Sequence, residues 1–213
     1  MNILKSFFAG LVVAIAAPIL DATIINFDDL SLNDQPIPSY PNSYSGLYWT
    51  NVYVYNATDN TENLTSGYQF SVISPKNVAF NGGGNSITIS SDTPFTFNSA
   101  YLTSVWRDNL QVEVIGSLGG VPVPTYDHIF TLSATANTLE TFNYVLVDSV
   151  EFIPSLGSFH DGYTNDYGTY FAMDNLTVNE VPEPGTWVAA ALLLAAIAFS
   201  QRDRLSRAKP IGR

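Results

Sequence analysis

The sequence predicts an all-β protein built as an antiparallel β-sandwich of jelly-roll type, with one apolar helix at each end of the chain. Three observations lead to this fold class. Charged and aromatic residues each make up 13% of the chain, and the many Tyr, Phe, Thr, Ser and Asn residues are typical of β-structure. Short apolar runs alternate with Gly, Pro and Asn clusters between residues 23 and 180. Long uninterrupted apolar runs occur only at the two ends.

Eleven strand-like runs in the middle segment predict about nine or ten strands, a number that suits a sandwich. In LQVEVIGSL every second residue from Leu110 to Val114 is apolar, and Gly119-Gly120 predicts a hairpin to the next run. Pro122 and Pro124 mark that next run as an edge strand or a bulge. The strand-like runs are 23–27, 47–56, 67–73, 77–81, 86–90, 94–106, 110–118, 121–133, 138–147, 149–153 and 170–180.

Residues 1–22 are predicted to be a signal peptide, and their apolar part is the N-terminal signal helix. Lys5 supplies a positive charge, and SFFAGLVVAIAAPIL has the length of a signal-peptide apolar region. Small residues follow, so cleavage is expected after Ala22 or after Ala17, and the mature chain begins near Thr23. The alternative is a buried N-terminal helix, but the abrupt change to TIINFDDL favours the signal peptide.

Charge is distributed unevenly along the chain. Five of the eight Lys and Arg residues lie in the last twelve positions, so segment 23–180 keeps only Lys76 and Arg107 against sixteen carboxylates, a formal charge of −14. This balance repels phosphates and excludes nucleic-acid binding. The chain has no cysteine, which excludes disulfides, thiolate metal sites and a cysteine nucleophile.

The C-terminal segment predicts a membrane anchor. Residues 187–201 are predicted to form a transmembrane helix, near the short limit for crossing the hydrocarbon core. A basic stop-transfer cluster follows and is expected to keep the tail 202–213 in the cytoplasm. The β-sandwich domain then covers 23–179, and a linker covers 180–186. The basic cluster consists of Arg202, Arg204, Arg207 and Lys209.

The linker contains Pro182-Glu183-Pro184, whose two prolines keep it extended just outside the membrane. This tripeptide, the apolar run and the basic cluster, in that order, resemble the PEP-CTERM sorting signal of Gram-negative bacteria. The resemblance implies export through the secretion translocon and cleavage near Pro182-Glu183-Pro184 by an exosortase. The implied route runs from an inner-membrane-anchored precursor to the cell surface or extracellular matrix, often in bacteria that produce exopolysaccharide. The alternative is an ordinary anchor that follows a Pro-rich linker.

The body carries a second resemblance. The segments INFDDL, GLYWTNVYV, NSAYLTSVWRDNL and FAMDNLTV resemble a group of small secreted β-sandwich proteins found with such tails. That group is similar in outline to the galactose-binding-like jelly rolls of carbohydrate-binding modules. It implies a fold and no particular activity.

Oxygen-bearing side chains near the first and last predicted strands mark a candidate metal site. Asp28 and Asp29 follow the first strand, and Asp174 and Asn175 lie in the last. First and last strands of a jelly roll often lie side by side, and Ca²⁺ takes carboxylate and amide oxygens. A structural calcium ion is therefore the one candidate cofactor. The alternative is that these residues are turn formers and hydrogen-bond acceptors.

Aromatic side chains in polar surroundings are candidates for stacking on sugar rings, because a pyranose has an apolar C–H face. The alternative for each is core packing, and Trp106, inside the longest strand-like run, is predicted to be a core residue. Arg107-Asp108 after it predicts an internal ion pair or a turn cap. The carbohydrate-binding candidates are Tyr40, Tyr44, Trp49, Tyr163 and Tyr167.

The sequence carries no catalytic motif. There is no nucleophile elbow, HExxH or phosphate loop, and His128 and His160 are the only histidines. We therefore expect a non-catalytic surface or matrix protein that binds polysaccharide or other surface components. The alternative is a surface glycoside hydrolase or lyase using an acidic pair, with Asp161 and Asp166 as the first candidates.

Overall fold

The computed structural model describes residues 22–31, 35–37, 42–58, 65–163, 166–180 and 197. Four predicted features lie almost entirely outside these residues: the signal peptide, the Pro182-Glu183-Pro184 motif, the apolar segment 187–201 and the basic tail. Within the part of the chain that the structure describes, no helix has both the length and the apolar character needed to cross a membrane.

All strand pairings in the described residues are antiparallel. A single helical turn, α1, and a 3₁₀ turn at Gly82–Gly84 are the other regular elements there. The elements are β1 (Thr23–Ile25), β2 (Gln35–Pro36), β3 (Tyr48–Thr50), β4 (Val52–Asn56), α1 (Tyr68–Ser71), β5 (Asn77–Asn81), β6 (Ile87–Ser104), β7 (Arg107–Leu118), β8 (Val121–Leu132), β9 (Thr138–Phe159) and β10 (Phe171–Glu180).

Two long strands, β6 and β9, each belong to both sheets, with one half of the strand in each sheet. The second half of β6 and the first half of β9 join a sheet in the order β2-β4-β5-β10-β6-β9, and β1 also pairs with β10. The first half of β6 and the second half of β9 join β3, β7 and β8. The register between β6 and β9 shifts between Ser90 and Phe95, and Asn143 and Leu146 have positive φ. Such bulges bend a strand sharply enough to pass from one sheet to the other.

The two sheets enclose one aromatic and aliphatic core. Phe152 from one sheet lies 5.9 Å from Phe97 and 5.8 Å from Phe171 of the other, measured between ring centroids. Leu110, Val112 and Val114 of β7 are fully buried, and Gln111 and Glu113 between them are only partly buried. The all-β antiparallel class is confirmed, and the facing sheets are consistent with the predicted sandwich.

Four sequence predictions about element limits were wrong, and the first is run 47–56, which is divided into β3 and β4 at Asn51. Segment 67–73 contains the helical turn α1, where the Phe70 N–H donates to the Gly67 carbonyl at 3.0 Å. Runs 86–90 and 94–106 form one strand, and runs 138–147 and 149–153 form another that extends to Phe159. In both strands a bulge occupies the place where a turn was expected.

Backbone hydrogen bonds join three segments that connect strands at one end of the fold. The His160 N–H donates to the Trp106 carbonyl at 3.0 Å, and the Val105 N–H donates to the Tyr170 carbonyl at 3.0 Å. The Gly67 N–H donates to the Val105 carbonyl at 2.8 Å. The β6–β7 turn, α1 and the β9–β10 connection therefore meet here.

Candidate functional site

Trp106 lies at the centre of an aromatic cluster at this end of the fold. Its side chain is 2% exposed, which confirms its predicted core position. Three tyrosine rings meet it edge-on, with centroids at 6.4 Å for Tyr68, 6.5 Å for Tyr163 and 5.2 Å for Tyr167. The indole N–H has no hydrogen-bond partner among the described residues.

Tyr167 is the exposed member of this cluster. It is 60% exposed although its ring contacts Trp106 at an interplanar angle of 75°. Tyr163 is half-buried, and its hydroxyl donates to the Ala134 carbonyl. The result is one exposed aromatic ring supported by a buried aromatic base. We call the surface formed by Trp106, Arg107, Asp108, His160, Asp161, Tyr163, Asp166 and Tyr167 the end site.

A bidentate ion pair fixes the chain next to Tyr167. Arg107 Nε lies 3.1 Å from Asp166 Oδ1, and Nη2 lies 3.0 Å from Oδ2. The Gly168 N–H also donates to Asp166 Oδ1, at 3.0 Å. These hydrogen bonds, that from Arg107 above all, hold the pKa of Asp166 below its usual range. Because Arg107 follows Trp106 and Asp166 precedes Tyr167, the pair holds the two rings together.

A second polar pair lies on the same surface. His160 Nδ1 is 2.7 Å from Asp108 Oδ2, and the Asp108 side chain remains 39% exposed. The His160 ring is also 4.4 Å from the Tyr163 ring. Burial, and then the charge of Asp108, raise the pKa of Tyr163 and keep its phenol neutral. Asp161, next to His160, is exposed.

The structure corrects the predicted role of Arg107-Asp108. These neighbours do not pair with each other: Arg107 binds Asp166, 59 positions away, and Asp108 binds His160, 52 positions away. The sequence interpretation missed Arg107, Asp108 and His160 as parts of a site. The one available signal was that Arg107 is one of only two basic residues in the whole body.

Two other predicted sugar-binding residues lie in a different part of the fold. Trp49 is fully buried, 5.5 Å from the Phe27 ring, and its Nε1–H donates to the Tyr44 carbonyl at 3.0 Å. Tyr44 is half-buried, and its hydroxyl donates to Asp29 Oδ1 at 2.7 Å. Tyr40 lies outside the described residues. Only Tyr163 and Tyr167 of the predicted set come together with an exposed ring.

Two of the predicted calcium ligands hold one segment of backbone. Asp28 Oδ1 accepts the N–H groups of Lys76 and Asn77. Asp174 Oδ2 accepts the N–H groups of Ile73 and Ser74, at 2.7 and 2.9 Å. Burial raises the pKa of Asp174, and the nearby charge of Asp28 adds to this effect.

The other two predicted ligands are less well placed for a metal. Asp29 accepts the Tyr44 hydroxyl, and the Asn175 backbone N–H donates to Asp174 Oδ1 at 2.7 Å. No group of three or more His, Cys, Asp or Glu able to hold a metal occurs among the described residues. Carboxylate oxygens that already face N–H donors fit a hydrogen-bonded latch better than a cation. A calcium ion here stays a prediction.

Comparison with known proteins identifies a fold relative and no family. No family model matches the chain, and no curated protein matches it. The structure is similar to that of a DUF4465 family protein from Bacteroides caccae ATCC 43185, with a TM-score of 0.52 and 12% identity over 76% of this chain and 100% of that one. At that identity the likeness concerns the fold alone.

A second solved structure is more distant. The carbohydrate-binding module TmCBM61, in complex with beta-1,4-galactotriose, matches with a TM-score of 0.33 and 11% identity, over 71% of this chain and 100% of that one. A likeness this low carries no argument about the chain.

Proposed function

We propose that this chain is an exported, non-catalytic cell-surface or extracellular-matrix protein that binds polysaccharide through the end site. One observation carries the binding part of the proposal. Tyr167 keeps 60% of its surface exposed while its ring contacts the buried Trp106 in a T-shaped arrangement, with centroids 5.2 Å apart. A rigid, exposed aromatic ring flanked by hydrogen-bonding carboxylates suits a sugar, whose apolar face stacks and whose hydroxyls donate.

The ion pair between Arg107 and Asp166 supports binding by preorganisation. A loop that is already ordered loses less conformational entropy when a ligand stacks on it. Asp166 is anchored by Arg107 and by the Gly168 N–H, so the neighbouring Tyr167 is held in place before a ligand arrives.

The hydrolase alternative needs a protonated carboxylic acid near neutral pH. Arg107 has the opposite effect, because it keeps the pKa of Asp166 below its usual range. Both Asp166 oxygens are also engaged, by Arg107 and by the Gly168 N–H. This favours a binding role over an acid–base role. Release of reducing sugars by the protein, abolished by Asp161→Asn, would reverse that preference.

The export part of the proposal rests on the sequence. The signal peptide 1–22, the Pro182-Glu183-Pro184 motif, the apolar segment and the basic cluster appear in the order of a sorting signal. The partners proposed for this route are the secretion translocon, an exosortase and the inner membrane. Exopolysaccharide is the partner proposed for the end site.

Affinity electrophoresis of the full-length chain through gels containing exopolysaccharide tests the binding proposal. Tyr167→Ala should lower the affinity about five- to thirtyfold, because stacking on one aromatic ring is worth on the order of 1–2 kcal/mol. Tyr167→Phe keeps the ring and should bind like the wild type. Val121→Ala removes an exposed apolar side chain at the start of β8, which pairs with the end of β7 that lies away from the end site, and is the control. Equal retardation of the wild type and Tyr167→Ala would refute the end site.

A further inference from the structure

The end site contains three carboxylates, one guanidinium and the imidazole of His160, which contacts Asp108. Asp108, Asp161 and Asp166 contribute the negative charges, and Arg107 is one of only two Lys or Arg residues between 23 and 180. Exposed charges act mainly within a Debye length of about 8–10 Å. The groups on the site itself, more than the whole body, therefore decide which ligand charge is accepted.

The Arg107 guanidinium already forms hydrogen bonds within the protein. Two of its nitrogens bind Asp166 and a third, Nη1, approaches the Leu156 carbonyl at 3.5 Å. The Arg107 side chain is only 28% exposed. An acidic sugar that stacked on Tyr167 would meet a guanidinium whose charge Asp166 already balances.

The remaining carboxylates present acceptors only. The Asp108 side chain is 39% exposed and contacts His160. Asp161 directly follows His160 and is exposed. Ionised carboxylates accept hydrogen bonds and donate none. Sugar hydroxyls are donors and satisfy them, whereas a uronate or sulfate group would place acceptor against acceptor and charge against like charge.

From these contacts we infer that the end site takes polysaccharides without acidic groups and rejects uronate- and sulfate-bearing chains. The inference rests on the proposed function, because it names the ligand class of the same site. Tyr167 provides the stacking surface, and Asp108 and Asp161 select hydroxyl donors. Arg107 is a positioning residue that holds Asp166 and, through it, Tyr167.

Binding measured on paired polymers tests the ligand class. The full-length chain and Tyr167→Ala are run through gels containing an uncharged galactan or glucan, and through gels containing polygalacturonate or alginate. Because the C-terminal tail carries Arg202, Arg204, Arg207 and Lys209, only the retardation lost in Tyr167→Ala is assigned to the end site. We expect Tyr167-dependent retardation with the uncharged polymers alone, at low and at high salt.

The outcomes separate the two proposals. Tyr167-dependent retardation by polygalacturonate or alginate would overturn the ligand class while leaving polysaccharide binding in place. No Tyr167-dependent retardation by any polymer would overturn the proposed function and the ligand class with it.

A variant with a changed charge tests whether local charge is the cause of the ligand selection. Asp161→Lys changes the charge of the end site by two units and should give Tyr167-dependent polygalacturonate binding at least about tenfold above wild type, since it replaces a like charge with an opposite one. Asp127→Lys makes the same change on the exposed edge strand β8 and is the control. An equal gain in both variants, or none in Asp161→Lys, would refute local charge as the basis of selection.

Discussion

Asp174 is fully buried, and its carboxylate accepts three backbone N–H groups, from Ile73, Ser74 and Asn175. Leaving a buried donor without an acceptor costs roughly 1–3 kcal/mol. Asp174→Ala should therefore lower the free energy of unfolding by about 3 kcal/mol or more, measured by urea denaturation. Asp127→Ala removes an exposed carboxylate and should change it by less than about 0.5 kcal/mol. Similar losses in the two variants would contradict the latch role of Asp174.

Asp166 should make stability depend on pH in the acid range. Its pKa in the folded chain lies below the unfolded value of about 3.9, so the Arg107 pair contributes stability above that pH. The contribution is lost as the pH falls through the lower folded value. Asp166→Asn should thus unfold at lower urea than wild type at pH 7, and the two midpoints should converge in acid. A constant difference at all pH values would mean that the ion pair is not its source.

At the scale of elements, the contact between α1 and the end of β6 leaves no room for a side chain at Gly67. A Cβ there would lie 1.9 Å from the Ser104 carbonyl oxygen, although the backbone φ of −64° suits any residue. Gly67→Ala should destabilise the protein by about 2–3 kcal/mol through overpacking. At Gly119 the φ is +61°, and an added Cβ would have no neighbouring atom within 4 Å. Gly119→Ala should therefore lower the free energy of unfolding by only about 1 kcal/mol, through backbone strain. Thermal melts of both variants test this order.

The contact between β10 and the chain that follows β1 is where calcium was predicted. If a calcium ion joins Asp28 to Asp174, a chelator should lower the melting temperature of the purified protein, because an ion bound only by the folded state stabilises it. The backbone N–H groups that these carboxylates accept predict an unchanged melting curve instead. A drop restored by added Ca²⁺ would establish the metal.

For the whole molecule, the sorting prediction is tested by the intact mass of the exported protein in cells with and without the exosortase. We expect loss of everything after the region of Pro182-Glu183-Pro184 only where that enzyme is present. A mass that still includes Arg213 in both strains would mean a permanent anchor, and the interpretation of the tail as a sorting signal would be wrong.

Much of the fold was predictable because strand patterning is local. Alternation in β7 and the Gly119-Gly120 hairpin to β8 follow from neighbouring residues, and both are present in the structure. The continuous strands β6 and β9 were not predicted, because a bulge and a turn have similar local sequences. Only pairing with other strands decides whether the chain bends through or reverses.

The sequence by itself determined the all-β class, the acidic body and the concentration of positive charge at the C-terminus, since these follow from composition and local pattern. It singled out Tyr163, Tyr167, Asp161 and Asp166 as candidates, but it did not place Arg107, Asp108 and His160 in a site with them. Only the tertiary structure decided the end site, because the pairing of Arg107 with Phe159 places the start of β7 beside the end of β9. That long-range register brings Trp106 under Tyr167 and Arg107 to Asp166, and no local pattern encodes it.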